Sequence, residues 1–198
     1  MGSKGVPRAQ REQQILDAAT AEFGRYGYAG AALSAVATAA GVSKQLVLSY
    51  FGSKDGLFIA CVKRAGDNLV DPIERVLSAG DSPIRTAANT LAAIFDALEP
   101  RPNDWNVIND RTPPAGGPAH EAARQVRLTI AGQAARGVSG LAEPASFTDP
   151  DDISVLTDLW MSAVTALVRW WLRHPEQTAA QMNERSGRIL AVLSGIAP

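Results

Sequence analysis

FGRYGYAGAALSAVATAAGVSKQLVLSYFGSKDGLF, residues 23–58, is the stretch from which the rest of the chain can be read. Leu33, Val36, Ala37 and Ala40 recur at helical spacing and predict a short helix over 33–40. Gly41 supplies the left-handed or otherwise tight backbone that ends it. Val42 plugs the core, and Ser43 suits the N-cap of a second short helix over 44–50. A second helix so brief, with polar residues at its start, has the form of an element that enters the major groove of duplex DNA. The aromatic Tyr50 and basic Lys54 that follow can brace against a phosphate backbone. The stretch therefore implies a DNA-binding regulator.

On the N-terminal side, Ile15, Ala18, Ala19 and Phe23 form the buried stripe of a first helix over about 8–26, with Tyr28 as a core aromatic under the second helix. On the C-terminal side, Ser53 caps a longer helix with Asp55 in its first turn. Its apolar face runs through Leu57, Phe58, Cys61, Val62, Leu69, Ile73 and Leu77, and Pro72 is a point of kinking or interruption. Pro83 opens the next helix, which Pro100 and Pro102 end. A short apolar segment over about 104–110, a loop at 111–118, a helix over about 119–140 and a loop at 143–150 follow. We expect an all-α chain with a three-helix, helix-turn-helix domain at 1–53 and a larger helical domain at 54–198.

The last two helices carry the strongest pattern outside that module. Ile153, Leu156, Trp160, Ala163, Leu167 and Trp170 alternate at spacings of three and four, and Thr157, Met161, Val164, Val168 and Trp171 form a second stripe beside them. A helix apolar nearly all round needs cover on two sides. Ala179, Met182, Ser186, Ile189, Leu193 and Ile196 repeat the spacing in the final helix. A helical hairpin that packs on its own domain and pairs with a second copy across a two-fold axis satisfies both; an ordinary buried core helix is the alternative. The expected interface residues are Leu156, Trp160, Leu167, Trp171, Met182, Ile189 and Leu193.

Charge agrees with this division of labour. The net charge of −1 conceals a basic front and an acidic remainder: residues 1–66 hold 8 Lys and Arg against 4 Asp and Glu, and residues 67–198 hold 11 against 16. All four lysines lie in the basic part. Such asymmetry suits a nucleic-acid module joined to a body that does not touch phosphate. Cys61 is the only cysteine, which excludes an intramolecular disulfide and fits a reducing cytoplasm. His120 and His174 lack zinc-site spacing, so no metal or cofactor is expected. The polar N-terminus has no signal-peptide pattern, and 153–172, interrupted by Asp158 and Arg169, is too polar to span a bilayer.

Ile15-Leu16, Ala18-Ala19, Phe23, Gly27-Tyr28, Val36-Ala37, Ala40-Gly41-Val42-Ser43, Tyr50-Phe51, Ser53-Lys54 and Leu57 together resemble the N-terminal domain of TetR/AcrR-type transcriptional regulators. The resemblance covers about a quarter of the chain. It implies a three-helix DNA-binding domain, a larger helical domain with a ligand cavity, and a homodimer built on the last two helices. Ser34, Ser43, Lys44, Gln45, Leu46, Ser49, Tyr50 and Lys54 are then the DNA-contact candidates. Gln45 can pair with an adenine edge, Lys44 can reach guanine or phosphate, and Leu46 can meet a thymine methyl. Tyr50 and Lys54 suit backbone phosphates. Arg8 and Arg11 can reach the DNA flank, and a solvated helix start accounts for them equally well.

The chain departs from the family at Ala31-Ala32, where hydroxyl residues are usual, and at Leu48, where Tyr is frequent. The second helix thus lacks a side-chain cap worth about 1 kcal/mol. For the effector site the central helices over about 60–140 are expected to enclose an apolar cavity, with Cys61, Phe95, Trp105, Asn109, His120 and Trp160 as candidate contacts. The aromatic and aliphatic mixture suggests a small hydrophobic or aromatic ligand. A two-fold pair of reading helices would read a palindromic or pseudo-palindromic operator, and occupying such a site near a promoter would block polymerase, so repression is expected. Activation, or an architectural DNA-binding role without an effector, uses the same module. No Gly-rich phosphate loop, nucleophile elbow or acid–base pair favours an enzyme.

Overall fold

The computed structural model describes residues 6–142 and 149–193, and these form nine α-helices without a strand. In order they are α1 (Arg8–Gly30), α2 (Leu33–Ala39), α3 (Lys44–Phe51), α4 (Lys54–Leu77), α5 (Pro83–Leu98), α6 (Asn103–Asn109), α7 (Pro118–Ala142), α8 (Pro150–Leu172) and α9 (Ala179–Leu193). Among the described residues, no helix is long and apolar enough to cross a membrane. The chain divides into two compact units. The first holds the residues up to Gly66 together with Asn103–Arg127, and the second holds Asp67–Pro102 together with the residues from Leu128 on. That division follows a different line from the domain boundary expected at 53/54. The first turns of α4 pack into the first unit's core, and α6 with the start of α7 joins it from far along the sequence.

In the first unit the α1 stripe behaves as its periodicity requires: Ile15, Leu16, Ala19 and Phe23 are buried. They meet Val36 and Ala37 of α2, Val47 of α3, Leu57, Phe58, Cys61 and Val62 of α4, and Val107, Ala119 and Ala123 further on. Phe58 is the hub. Its ring stands edge-on to Phe23 at 5.0 Å and to Tyr28 at 5.3 Å. Burying a side chain of this size is worth about 1.5–3 kcal/mol, and edge-to-face contact adds to it. α1 runs further than the apolar stripe suggests, to Gly30, and it is broken at Gly27, whose φ of 68° and ψ of 170° only glycine adopts readily. α4 continues as helix through Pro72.

In the second unit α9 packs on α5. Leu91, Ile94, Phe95 and Leu98 of α5, Val164, Val168 and Trp171 of α8, and Ala179 and Met182 of α9 are buried there. Of the two stripes on α8, the one through Val164, Val168 and Trp171 is therefore the inward one. This corrects two expected interface residues. Trp171 is edge-on to Phe95 at 5.3 Å and its indole N–H donates to the Gln177 carbonyl at 2.7 Å, while Met182 is fully buried. Both are consumed by the unit's own core. Leu156, Trp160 and Leu167, on the other stripe, stay half-buried. Around them Val155, Leu159, Ile189 and Val192 are exposed at 59, 61, 40 and 74%. The side chain of Leu193 lies outside the described residues.

Candidate nucleic-acid interface

α2 and α3 meet through a joint whose chemistry is local. Gly41 takes φ 64°, its N–H bonds the Thr38 carbonyl at 3.1 Å, and the Val42 N–H bonds the Ala37 carbonyl at 2.9 Å. This closes the C-terminus of α2 in the manner of a left-handed cap. Val42 packs against the core and Ser43 turns extended. The Ser43 hydroxyl oxygen then accepts the Leu46 N–H at 3.1 Å, the cap that the sequence called for. At the start of α2 the expected weakness is real: Ala32 offers no side-chain acceptor. The Glu22 carboxylate of α1 partly compensates by accepting the Ala32 N–H at 3.1 Å.

One residue of α3, Val47, anchors it in the core, with Leu46, Leu48, Tyr50 and Phe51 half-buried around it. The opposite face is open. Ser43, Lys44, Gln45 and Ser49 are exposed, as is Ser34 on α2. Lys44 takes part in no ion pair among the described residues, so its charge is available. The Ser49 hydroxyl donates to the Leu46 carbonyl at 2.9 Å, which leaves its lone pairs outward. Leu46, half-buried, has an edge on this face but not a whole side chain.

Two cations flank the face on aromatic supports. The Arg8 guanidinium lies 5.1 Å from the centre of the Tyr50 ring, and the Lys54 ammonium 4.8 Å from the Tyr28 ring. Cation–π contact holds each charge in place while leaving it able to meet an anion. The Tyr50–Arg8 pair joins residues far apart in the sequence, so no local pattern announces it. Arg11 instead donates to Gln14 at 3.0 Å on its own helix. Ser53 caps α4 through the Gly56 N–H at 3.0 Å. Asp55, in the first turn of α4, accepts the Tyr28 hydroxyl, and this bond together with partial burial pushes the phenol up to about 12. Tyr28 is thus held neutral at any physiological pH.

The face offers a cluster of donors, an amide with both donor and acceptor capacity, and positive charge, on a helix of eight residues that projects from a firm core. Chemically it suits base edges ringed by phosphates. Among the described residues no group of three potential metal ligands occurs.

The six effector-contact candidates fall in different places. Cys61, Trp105, Asn109 and His120 belong to the first unit and Phe95 and Trp160 to the second. Cys61 is a core residue whose thiol faces the Leu16 carbonyl at 4.0 Å, and burial pushes it up to about 11. Phe95 is fully buried against Trp171. Trp105 is buried, and Asn109 turns its amide back to the Trp105 carbonyl at 2.9 Å. His120 and Trp160 keep partial exposure.

Comparison with known proteins agrees with this geometry. Residues 15–61 match the family model described as bacterial regulatory proteins, tetR family. The transcriptional activator FasR of Mycolicibacterium smegmatis is 32% identical over 103 residues, which is 52% of this chain and 47% of FasR. The match thus spans about half the length of that relative. Among solved structures, a TetR-like transcriptional regulator from Rhodococcus sp. RHA1 superposes with a TM-score of 0.72 at 23% identity, covering 96% of this chain and 99% of its own. The Bacillus subtilis regulator FadR, solved in complex with stearoyl-CoA, gives a TM-score of 0.72 at 16% identity over 94% of this chain and 99% of its own. At these identities the structural likeness concerns the fold. Family model, relatives and fold agree with one another and with the open face of α3: residues 15–61 carry the helix-turn-helix of the tetR family of bacterial regulatory proteins, and the chain has the fold of TetR-like regulators.

Proposed function

We propose that the protein is a cytoplasmic DNA-binding transcriptional regulator, not an enzyme, that represses from a palindromic operator and is released by a small hydrophobic or aromatic ligand. The observation that carries the DNA reading is the α3 face itself: Ser43, Lys44, Gln45 and Ser49 open to solvent, anchored from behind by Val47 and flanked by Arg8 and Lys54 on their aromatic supports. On this reading Gln45 and Lys44 meet base edges, Leu46 offers an apolar edge, and Ser34, Tyr50 and Lys54 hold phosphates.

The operator's symmetry follows from a homodimer. Leu156, Trp160, Leu167 and Ile189, with the exposed Val155, Leu159 and Val192, form the apolar face of α8 and α9 that a second copy would cover. Between those helices Leu167, Trp170, Arg185, Ile189 and Val192 line a groove of about 660 Å³, ready to receive side chains. Two reading helices on a two-fold axis would then address half-sites about one helical turn apart or somewhat more. The effector is supported by analogy to FadR, whose complex holds stearoyl-CoA. A ligand releases DNA only through its differential affinity for the two states of the protein.

Activation is the second reading, favoured by one fact: FasR is named an activator. A duplex recovered by the full-length protein from a random pool tests the DNA reading. Tyr50→Ala and Lys54→Ala should weaken binding to all sequences and flatten its dependence on salt. Unchanged affinity and slope would mean that α3 is not the reading helix. Fusion of the recovered site to a promoter and reporter then separates repression from activation.

A further inference from the structure

The break in α1 leaves donors that something must satisfy. At Gly27 the helix is cut, so the N–H groups of Tyr28 and Ala29 begin a fresh turn that ends in the Ala31 N–H to Gly27 carbonyl bond of 3.0 Å. Their acceptors come from a segment more than eighty residues downstream. The Asp110 carboxylate accepts the Tyr28 N–H, and the Thr112 hydroxyl oxygen accepts the Ala29 N–H at 3.0 Å. An N-cap normally lies next in sequence to the turn it caps. Here it is delivered in trans.

The cap is held from its own side. The Thr112 N–H and hydroxyl both donate to Asp110, at 2.8 and 3.2 Å. Arg127 Nη1 donates to the Ile108 and Asp110 carbonyls at 2.7 and 3.4 Å, which fixes the end of α6 where these residues begin. Asn106 reaches the Gly24 carbonyl at 3.2 Å. What the cap holds matters as much. Tyr28 donates its hydroxyl to Asp55 in the first turn of α4, carries Lys54 over its ring, and stands edge-on to Phe58. The position of one phosphate-facing cation therefore depends on a backbone N–H that Asp110 secures.

We infer that Asp110, with Thr112, is a positioning residue for DNA binding: it caps the broken end of α1 from the segment that follows α6 and so sets Tyr28, Asp55 and Lys54 beside the reading helix. The inference rests on the DNA reading proposed above. The reading head is accordingly not complete in the first 53 residues, because two of its backbone donors are satisfied from 110 and 112.

The test uses the full-length chain, a duplex recovered by the wild-type protein from a random pool, and three variants. Asp110→Ala should lose about tenfold or more in affinity, and amide exchange at Tyr28 and Ala29 should quicken by about tenfold or more. Asp110→Asn keeps one acceptor for the Tyr28 N–H and should stay within about fivefold of wild type. Tyr28→Phe keeps the cap but drops the Asp55 bond, so it should weaken DNA binding with exchange at Ala29 unchanged. Wild-type affinity in Asp110→Ala, or a loss of affinity with exchange at Tyr28 and Ala29 unaltered, overturns the inference. A wild-type protein that recovers no duplex sinks the DNA reading and this role with it, and the exchange data then judge the cap alone.

Discussion

Replacing Gly27 by Ala strikes the break in α1 directly, and its cost can be worked out from the geometry. A φ of 68° with ψ of 170° lies where non-glycine residues pay about 1–3 kcal/mol. The new Cβ would also stand 3.1 Å from the Thr112 hydroxyl oxygen and 3.5 Å from both Asp110 carboxylate oxygens. Those groups accept the Tyr28 and Ala29 N–H bonds, each worth about 0.5–1.5 kcal/mol. The sum is about 2–6 kcal/mol, and at about 2–4 °C per kcal/mol for a chain of this size that lowers the thermal midpoint by roughly 4–24 °C. Gly41→Ala is the control. It also has positive φ, 64°, but its Cβ would meet nothing within 4 Å, so it should cost only the left-handed penalty of about 1–2 kcal/mol. Circular dichroism melts of the two variants decide the matter. If Gly27→Ala melts no lower than Gly41→Ala, the trans cap is not a stabilising feature and the argument fails.

Ser43→Ala removes the one side-chain cap on α3 and should cost about 1 kcal/mol by urea titration, with Ser43→Gly milder. Ile189→Asp places a charge on the exposed apolar face of α8 and α9, so on the proposed pairing sedimentation should show a lower mass for the variant than for wild type; an unchanged mass would move the interface elsewhere. Alkaline stability should fall in two steps. The folded state raises the Cys61 thiol to about 11 and the Tyr28 phenol to about 12, so it binds more protons than the unfolded chain. Stability is complete below the unfolded values and is lost as pH rises through about 9–11 for Cys61 and about 10–12 for Tyr28. Cys61→Ala and Tyr28→Phe should each remove its own window in melts run against pH.

Where the chain builds locally, its residues announce the result. The Gly41 turn, the Ser43 cap, the missing cap at Ala32 and the apolar stripe of α1 each depend on neighbours within one or two helical turns, and each is found as the spacing requires. The site was harder. Exposure of Lys44 and Gln45 follows from the register that Val47 sets, which the α3 sequence contains. The Arg8–Tyr50 and Lys54–Tyr28 pairs do not follow, since each needs helices brought together by the core. On α8 both apolar stripes look alike in sequence. Packing against partners such as Phe95, opposite Trp171, turns one inward, and Met182 of α9 is buried in the same unit, so neither Trp171 nor Met182 lies on the exposed face.

The order of residues by itself determined an all-helical chain with a basic helix-turn-helix near its start, because caps, turns and periodicity act over a few residues. Tertiary structure alone decided that Asp110 and Thr112 complete the α1 break, and that Trp171 and Met182 fill core positions. Those outcomes depend on which distant donors and apolar faces meet when the core closes, and such meetings carry no periodic signature along the chain.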